Sequence, residues 1–480
     1  MATLVEVSKP EYNLGRPMEI DRSSDNIVYR SYKPDVPITV LSSDSAPMNV
    51  VWSIRDLNEH FLLQDSFIQV KGTFCKNAGL GSALVATDKP ALENAYTSMF
   101  SQSRLRLNGQ LVEDNSTLSH INAFVRQLTN LSPDYVLSSG QNTGFILDQN
   151  TGAAQDVDYT YVAGPPISVG RNLDYNDGFL QRRIQAGANL LGASATGVVQ
   201  RSFVVRLSDL LSIANCRKVM KGVSLRLELT TRTQAEMMFS SDTGTKFIIE
   251  DLELVVAIHN PSLDQLAELE SEFASGNEIS YSYPKYTTYE SNMETALSTG
   301  SYRSFTFNTS SQKPIGCFIF CQRDIAGGVD QRQFNSMVFD NCNLSNVRCK
   351  VNGVQYPYNE YEVAFPNGGS NNRVYARVYE EFLRFLNKNQ DVSAPALITA
   401  DQWANLYCMF WIPFHNLRPS ASYQITAEIK NATGALLPVN VPGTATNTRH
   451  LLNTKMYMTL LTVGEVVISG DRSGVVVRSN

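Results

Sequence analysis

Four cysteines, Cys317, Cys321, Cys342 and Cys349, are the densest set of possible metal ligands in this 480-residue chain. Zinc needs thiolates or imidazoles converging on one ion at about 2.0–2.3 Å. Gly316–Cys321 reads as a strand, and residues four apart on a strand lie about 13 Å apart. Cys317 and Cys321 therefore cannot both reach one ion directly. Thiols buried on an apolar strand are the better account. The five histidines, His60, His120, His259, His415 and His450, are scattered, and none pairs at ligand spacing. Asp56 and Glu59 could supply a carboxylate pair, but nothing in the sequence sets them across a cleft, and solvated or turn-capping roles fit better. Gly79-Leu80-Gly81 begins a dinucleotide-like pattern and lacks both the third glycine and the strand–turn–helix setting. The phosphate-loop, metalloprotease and nucleophile-elbow motifs do not occur. The expectation is a chain that is not an enzyme, with no catalytic residue, no cofactor and no metal.

Aromatic residues pose a second chemical question. Tyr281, Tyr283, Tyr286, Tyr289 and Tyr302 are dense in one stretch, and Tyr356, Tyr358 and Tyr361 in another. Such clusters could stack sugars or bases, or line a protein interface, where tyrosine is enriched. The low charge nearby favours the interface.

The elements that would position these residues are mostly strands. Val50, Trp52 and Ile54 alternate with Val51, Ser53 and Arg55, and Ile68, Val70 and Phe74 oppose Gln69, Lys71 and Thr73. Val223, Leu225, Leu227 and Leu229 alternate with Ser224, Arg226, Glu228 and Thr230, as do Phe305 and Phe307 with Ser304 and Thr306. Tyr423, Ile425, Ala427 and Ile429 repeat the pattern. One apolar and one polar face per strand is the mark of antiparallel sheets with a single buried side. Many such strands separated by Gly/Asn turns point to sandwiches or barrels. Helical spacing is confined to a few segments. Leu118, Ile121, Val125 and Leu128 share one face, and Tyr375, Val378, Phe382 and Leu386 another. A third helix is signalled by the capping box Ser262-Leu263-Asp264-Gln265, and Gly276 can end it.

An internal echo organises these elements. Ser103-Arg104-Leu105-Arg106-Leu107-Asn108-Gly109 recurs as Asn346-Val347-Arg348-Cys349-Lys350-Val351-Asn352-Gly353. Asn-Gly between strands is the favoured two-residue hairpin turn, because both central residues need positive φ. Each copy is followed by one of the first two amphipathic helices. A strand–turn–strand–helix unit that occurs twice implies two similar domains. Asn108, Gly109, Asn352 and Gly353 are thus the predicted structural turn residues.

Bulk properties narrow the partners. The chain carries 46 acidic and 40 basic residues, a net charge of −6, with no Lys/Arg block beyond Gln181-Arg182-Arg183. A salt-sensitive grip on a nucleic-acid backbone is not its expected main task, and no direct sequence-specific nucleic-acid binding is expected. Only 18% of residues are charged against 43% hydrophobic, which fits large protein–protein contacts. The start, MATLVEVSKPEYNLGRP, lacks the charged and apolar regions of a secretory signal, and no apolar run is long enough to cross a membrane. Synthesis in a host cell without secretion, in a reducing compartment with all seven cysteines as thiols, is the expectation.

Specific stretches also resemble a known family. VVWSIRDLNEHFLLQDSFIQVKGTF, ending at Phe74, resembles the opening strands of double-jelly-roll viral major capsid proteins. Ala95–Val112 is similar to a second stretch of that family through Ser98, Phe100, Ser101, Gln102, Leu107, Asn108 and Gly109. Val338–Tyr358 matches a third through Phe339, Asn343, Leu344, Val351, Gly353 and Pro357, and the helix around Tyr375 and Tyr379 a fourth. Thr459–Arg478 looks like the closing strands. The hexon-like proteins of Maverick/polinton elements and adintoviruses are the members it resembles. Asn352 stands where the family usually has Asp.

The resemblance implies an all-β fold of two tandem jelly-roll β-sandwiches with a few short helices. It implies an N-terminal arm over 1–44, a first jelly-roll over 45–260, a linker helix and connection over 261–300, and a second jelly-roll with C-terminal strands over 301–480. It further implies a homotrimer of pseudo-hexagonal outline that tiles an icosahedral virion shell around double-stranded DNA. Self-contacts in the lattice, penton proteins and minor capsid proteins would be its partners. The alternative from another class is a glycan-binding β-sandwich, spike or lectin-like, that uses the tyrosine clusters.

Overall fold

The computed structural model describes most of residues 24–38, 46–148, 199–261, 278–293, 302–431 and 454–479, with isolated residues such as Gly178 and Arg182 between them. The chain is mostly β. The first half contains β1 (Ser24–Tyr32), β2 (Asn49–Ile54), β3 (His60–Lys76), β4 (Ala91–Leu92), β5 (Phe100–Leu107), β6 (Gln110–Asn115), β7 (Val199–Arg206), β8 (Leu225–Thr231), β9 (Met238–Phe239) and β10 (Thr245–Pro261). The second contains β11 (Glu278–Met293), β12 (Tyr302–Thr309), β13 (Gly316–Arg323), β14 (Leu344–Val351), β15 (Val354–Tyr356), β16 (Met409–Pro413), β17 (Tyr423–Asn431), β18 (Thr454–Asp471) and β19 (Gly474–Ser479). The principal helices are α1 (Ser119–Asn130), α2 (Ala376–Asn389) and α3 (Ala400–Asn405).

Period-2 alternation produces these strands as expected. Val50, Trp52 and Ile54 are buried while their neighbours are only half-buried, and Leu225, Leu227 and Leu229 point inward between Arg226, Glu228 and Thr230. Each fully buried Leu or Val contributes roughly 1.5–3 kcal/mol relative to exposure, so a one-residue slip of register would be heavily penalised.

The strands form two pairs of facing sheets with one shared plan. In the first half the orders are β1-β10-β3-β7 and β2-β8-β5-β6. In the second they are β11-β18-β13-β16 and β12-β17-β14-β15, with β19 added to β18. Reading along the chain and setting aside the short β4–β9 pair, the eight strands of one half occupy the same sheet positions as the eight of the other. Every strand pair is antiparallel. Two four-stranded sheets with this order are a jelly-roll sandwich, and the duplication is therefore a property of the whole topology.

Two expected boundaries shift. The connection placed at 261–300 contains β11, a 16-residue strand paired with β18 along its whole length. The second sandwich thus begins at Glu278 and not at 301. The stretch reads poorly as a strand because Pro284 interrupts it and its tyrosines mix with Ser, Thr and Lys. The arm placed at 1–44 contains β1, which pairs with β10 from Ser24 to Tyr32. Apart from Ala267 and Ser271, the predicted helix after Ser262 lies outside the described residues, as does the loop at Gly79-Leu80-Gly81.

Each sandwich has its own hydrophobic core, and the cores borrow from each other. Tyr281 and Tyr283 of β11, Val466 and Ile468 of β18 and Val477 of β19 join the first core. Leu118, Ile121, Phe124, Val125 and Leu128, on or beside α1, join the second. The halves are locked by exchanged elements as well as by the chain between them.

Candidate functional site: hairpin turns and the seam between the sandwiches

The two Asn-Gly turns have the same geometry. Asn108 and Gly109 have φ of 48° and 79°, and Asn352 and Gly353 of 48° and 83°. Two positive φ values in succession suit the right-handed twist of the flanking strands. The asparagines do more than tolerate this backbone. Asn108 donates its N–H to the Ser224 carbonyl at 2.9 Å, and its Oδ1 accepts the Ser224 N–H at 2.6 Å. Asn352 does the same with Gln424, at 2.9 Å and 2.8 Å. In each case the side-chain oxygen accepts the N–H of the residue opposite and extends the ladder by one pair. The four residues are exposed, and a Cβ on either glycine would meet nothing within 4 Å. Backbone conformation alone selects glycine there.

The seam is built around α1. Its apolar residues face the second sandwich, where the Phe124 ring lies 5.9 Å from Phe339 and 6.0 Å from Tyr407. Its polar residues are buried too. Asn122 donates to Asn115 Oδ1 at 2.7 Å and to the Tyr286 carbonyl at 2.9 Å. Arg126 donates to Ser212 Oγ at 3.1 Å and to the Asp209 carbonyl. Glu113 accepts from the backbone N–H groups of Ser212 at 2.8 Å and Ile213 at 3.1 Å. Burial works against the Arg126 charge, and the Glu113 and Asp209 carboxylates work for it. Burial likewise raises the Asp209 carboxyl, opposed by Arg126.

A second polar cluster crosses the seam. Arg182 and Asp148, both almost fully buried, pair at 2.9 Å. Asn335 donates to Asp148 Oδ2 at 2.8 Å, and the Asp148 N–H donates to Tyr407 Oη at 2.9 Å. Glu93 accepts from the N–H and hydroxyl of Ser336, each at 3.1 Å, and Arg232 donates to the same Ser336 hydroxyl at 3.3 Å. Burial pushes the Glu93 carboxyl up to about 7, although Arg232, Ser336 and Arg182 pull the other way. These groups are engaged in pairing one half to the other. Removing one partner would leave its mate buried and uncompensated, a cost of roughly 3–5 kcal/mol.

The remaining candidates are structural or lie apart. Tyr281, Tyr283 and Tyr286 are 1%, 3% and 1% exposed, so these three do not line a surface for sugars, bases or another chain: Tyr281 and Tyr283 join the first core and Tyr286 the second. Tyr281 donates to the Val219 carbonyl at 3.0 Å. Tyr361 is also buried, while Tyr358 is exposed. The seven cysteines are buried free thiols. Burial, then Cys349, pushes the Cys317 thiol well up. Among the described residues no three His, Cys, Asp or Glu side chains converge as metal ligands. Glu59 pairs with Arg30 at 2.6 Å, and Asp56 lies outside the described residues. His120 is half-buried on α1 and held well below the usual imidazole range by desolvation, then by Arg232 and Lys455. Sequence reasoning missed the buried ionic groups of the seam, because Glu, Arg and Asp read as solvent-facing residue types.

Comparisons with known proteins agree with this architecture. A family described as "Double jelly roll-like domain" matches residues 184–425. Among solved structures, the chain is similar to one in the cryo-EM structure of the Sputnik virophage, with a TM-score of 0.54 and 14% identity, covering 99% of this chain and 93% of that one. It is also similar to the mavirus major capsid protein, with a TM-score of 0.51 and 10% identity, covering 98% and 92%. At these identities the likeness concerns the fold. A search of curated proteins returns no match.

Proposed function

The chain belongs to the double jelly-roll-like family, and from that premise we propose that it is the major capsid protein of an icosahedral virus, a structural protein and not an enzyme. The observation that carries this reading is the repetition of one eight-strand plan in two sandwiches fused side by side through buried elements. A protomer with two near-identical lobes can give a near-sixfold outline from a threefold oligomer, and a closed symmetric trimer satisfies identical interfaces three times over. Such trimers would tile the virion shell around double-stranded DNA, with penton and minor capsid proteins as further partners. The fold likeness to a protein whose printed name is a major capsid protein supports the same reading.

Tyr281, Tyr283, Tyr286 and Tyr361 are buried, which removes four of the eight tyrosines on which a glycan-binding alternative rested. Light scattering on the purified chain tests the proposal. A particle of three times the 53.2 kDa protomer mass is expected. A monomer at all micromolar concentrations would contradict it.

A further inference from the structure

A cavity of about 270 Å³, half open to solvent, lies on the seam where the end of β6 and the start of α1 meet β11 and β12. Small-molecule sites begin at about 300 Å³, so the space suits a ligand of a single ring. Tyr289 and Phe307 give it an aromatic wall: both are half-buried, and their ring centroids lie 5.4 Å apart. The rest of the lining is polar and carries little net charge. Asp114 is offset by Arg104 at 2.8 Å. Glu290, exposed and in no ion pair among the described residues, is left as an uncompensated carboxylate. Thr117 and Thr287 add hydroxyls.

Asn122 shows what this lining lacks. It is 3% exposed and lines the cavity. Its amide nitrogen donates to Asn115 Oδ1 and to the Tyr286 carbonyl, while its buried Oδ1 accepts from no group among the described residues. Both partners of the nitrogen are acceptors, so turning the amide over would break two bonds and does not cure the deficit. Buried polar atoms of this kind are satisfied in the great majority of cases. A donor inside the cavity would satisfy this one.

We propose that the cavity binds one neutral sugar ring, a pyranose. Its apolar C–H face stacks on Tyr289 and Phe307, and its hydroxyls donate to Asn122 Oδ1 and Glu290 and exchange hydrogen bonds with the threonine hydroxyls. An aromatic wall beside several acceptors calls for a ligand with one apolar face and several O–H donors. An ammonium ligand would need more uncompensated negative charge than Glu290 supplies, and a phosphate-bearing ligand would be repelled by it. This binding function is separate from the cohesion of a shell and does not depend on the oligomer.

The test is saturation-transfer difference NMR on the full-length chain. The probes are glucose, galactose, mannose and N-acetylglucosamine, each free and as its methyl glycoside. At least one should receive saturation, strongest at the protons of its apolar face, with a Kd on the order of 1 mM. A ring bound only with its anomeric hydroxyl free marks a free sugar as the ligand, and one bound also as the methyl glycoside marks a glycan end; both support the site. Thr117→Trp fills the cavity from an exposed position and should abolish transfer. Glu290→Ala should weaken binding about fivefold. Circular dichroism melting checks that both variants fold. Leu137→Asp, at a residue 78% exposed and outside the lining, should bind as wild type does. Transfer to none of the probes, or transfer that survives both cavity substitutions in folded protein, overturns the proposal. Salt-sensitive binding of putrescine with no binding of any sugar overturns it as well.

Discussion

Each sandwich carries a helix between its fifth and sixth core strands, and the two helices do different work. In α2, Val378, Phe382, Phe385 and Leu386 are buried against Phe318 and Trp411 of their own sandwich, while Arg377, Glu380 and Arg384 face solvent. In α1, ten of the twelve residues are buried. Its apolar side enters the core of the other sandwich, and its polar side is satisfied by the first through Arg126 and by both through Asn122, which donates to Asn115 Oδ1 and to the Tyr286 carbonyl. The same position in a duplicated fold has become a surface helix in one half and a joint in the other. Fusion of two lobes thus required polar residues on α1 with buried partners, and a plain amphipathic pattern on α2 was enough.

The comparison can be broken first at Phe124. Phe124→Ala should cost about 3–5 kcal/mol by opening a cavity where both halves meet. A large loss of melting temperature and lower hydrogen-exchange protection in both sandwiches are expected. Phe382→Ala should cost a similar amount, with the loss of protection concentrated in the second. Equal patterns for both variants would mean that α1 is not a joint.

The next effect is electrostatic. The Glu93 carboxyl is raised by burial to about 7 from an ordinary 4.5. The folded state therefore holds a proton that the unfolded chain releases between these values, so this group makes stability fall as pH rises from about 4.5 to about 7. Below that window it contributes nothing. Above it the penalty is constant, on the order of 3 kcal/mol. Glu93→Gln, which keeps the acceptor for Ser336, should gain stability relative to wild type as pH climbs through the window. Denaturant melts at pH 4.5 and pH 8 check this. His120, whose imidazole is held neutral by desolvation, acts in the opposite direction on acidification in both proteins, so the difference between them isolates Glu93.

The turns come next. Gly109→Val and Gly353→Val should each cost about 1–3 kcal/mol, through positive φ alone. Asn108→Ala and Asn352→Ala should each lose the side-chain bond to the opposite N–H, about 1 kcal/mol. Unequal effects in thermal melts would argue against equivalence of the two hairpins. The smallest effect belongs to the exposed face of α2. Arg384 pairs with Glu380 at 3.5 Å and Glu381 at 3.7 Å, and Arg384→Ala should change stability by less than about 0.5 kcal/mol. Arg126→Ala on α1 is expected to change it several-fold more.

The same contrast explains what could be read in advance. Strands such as Asn49–Ile54 and Leu225–Thr231 were legible because each has one face inside its own sandwich. The hairpins were legible because Asn-Gly has a specific backbone preference. β11 was not, since its buried face is covered by residues more than sixty positions away, and local alternation carries no record of that. Nor was the polar side of α1. Asn122, Arg126 and Gln127 have the spacing of a solvent face, and partners distant in sequence, most in the first sandwich with the Tyr286 carbonyl from the second, turn it into an interior. Pattern reports burial against the element's own domain, and the seam is where that rule fails.

Two fused lobes of one plan are what is proposed to make this chain a capsid building block. Electron microscopy of the purified full-length protein tests it most directly. Class averages should show threefold particles with six peripheral lobes and a hexagonal outline. Single two-lobed particles at every concentration, or dimers without threefold symmetry, would contradict it.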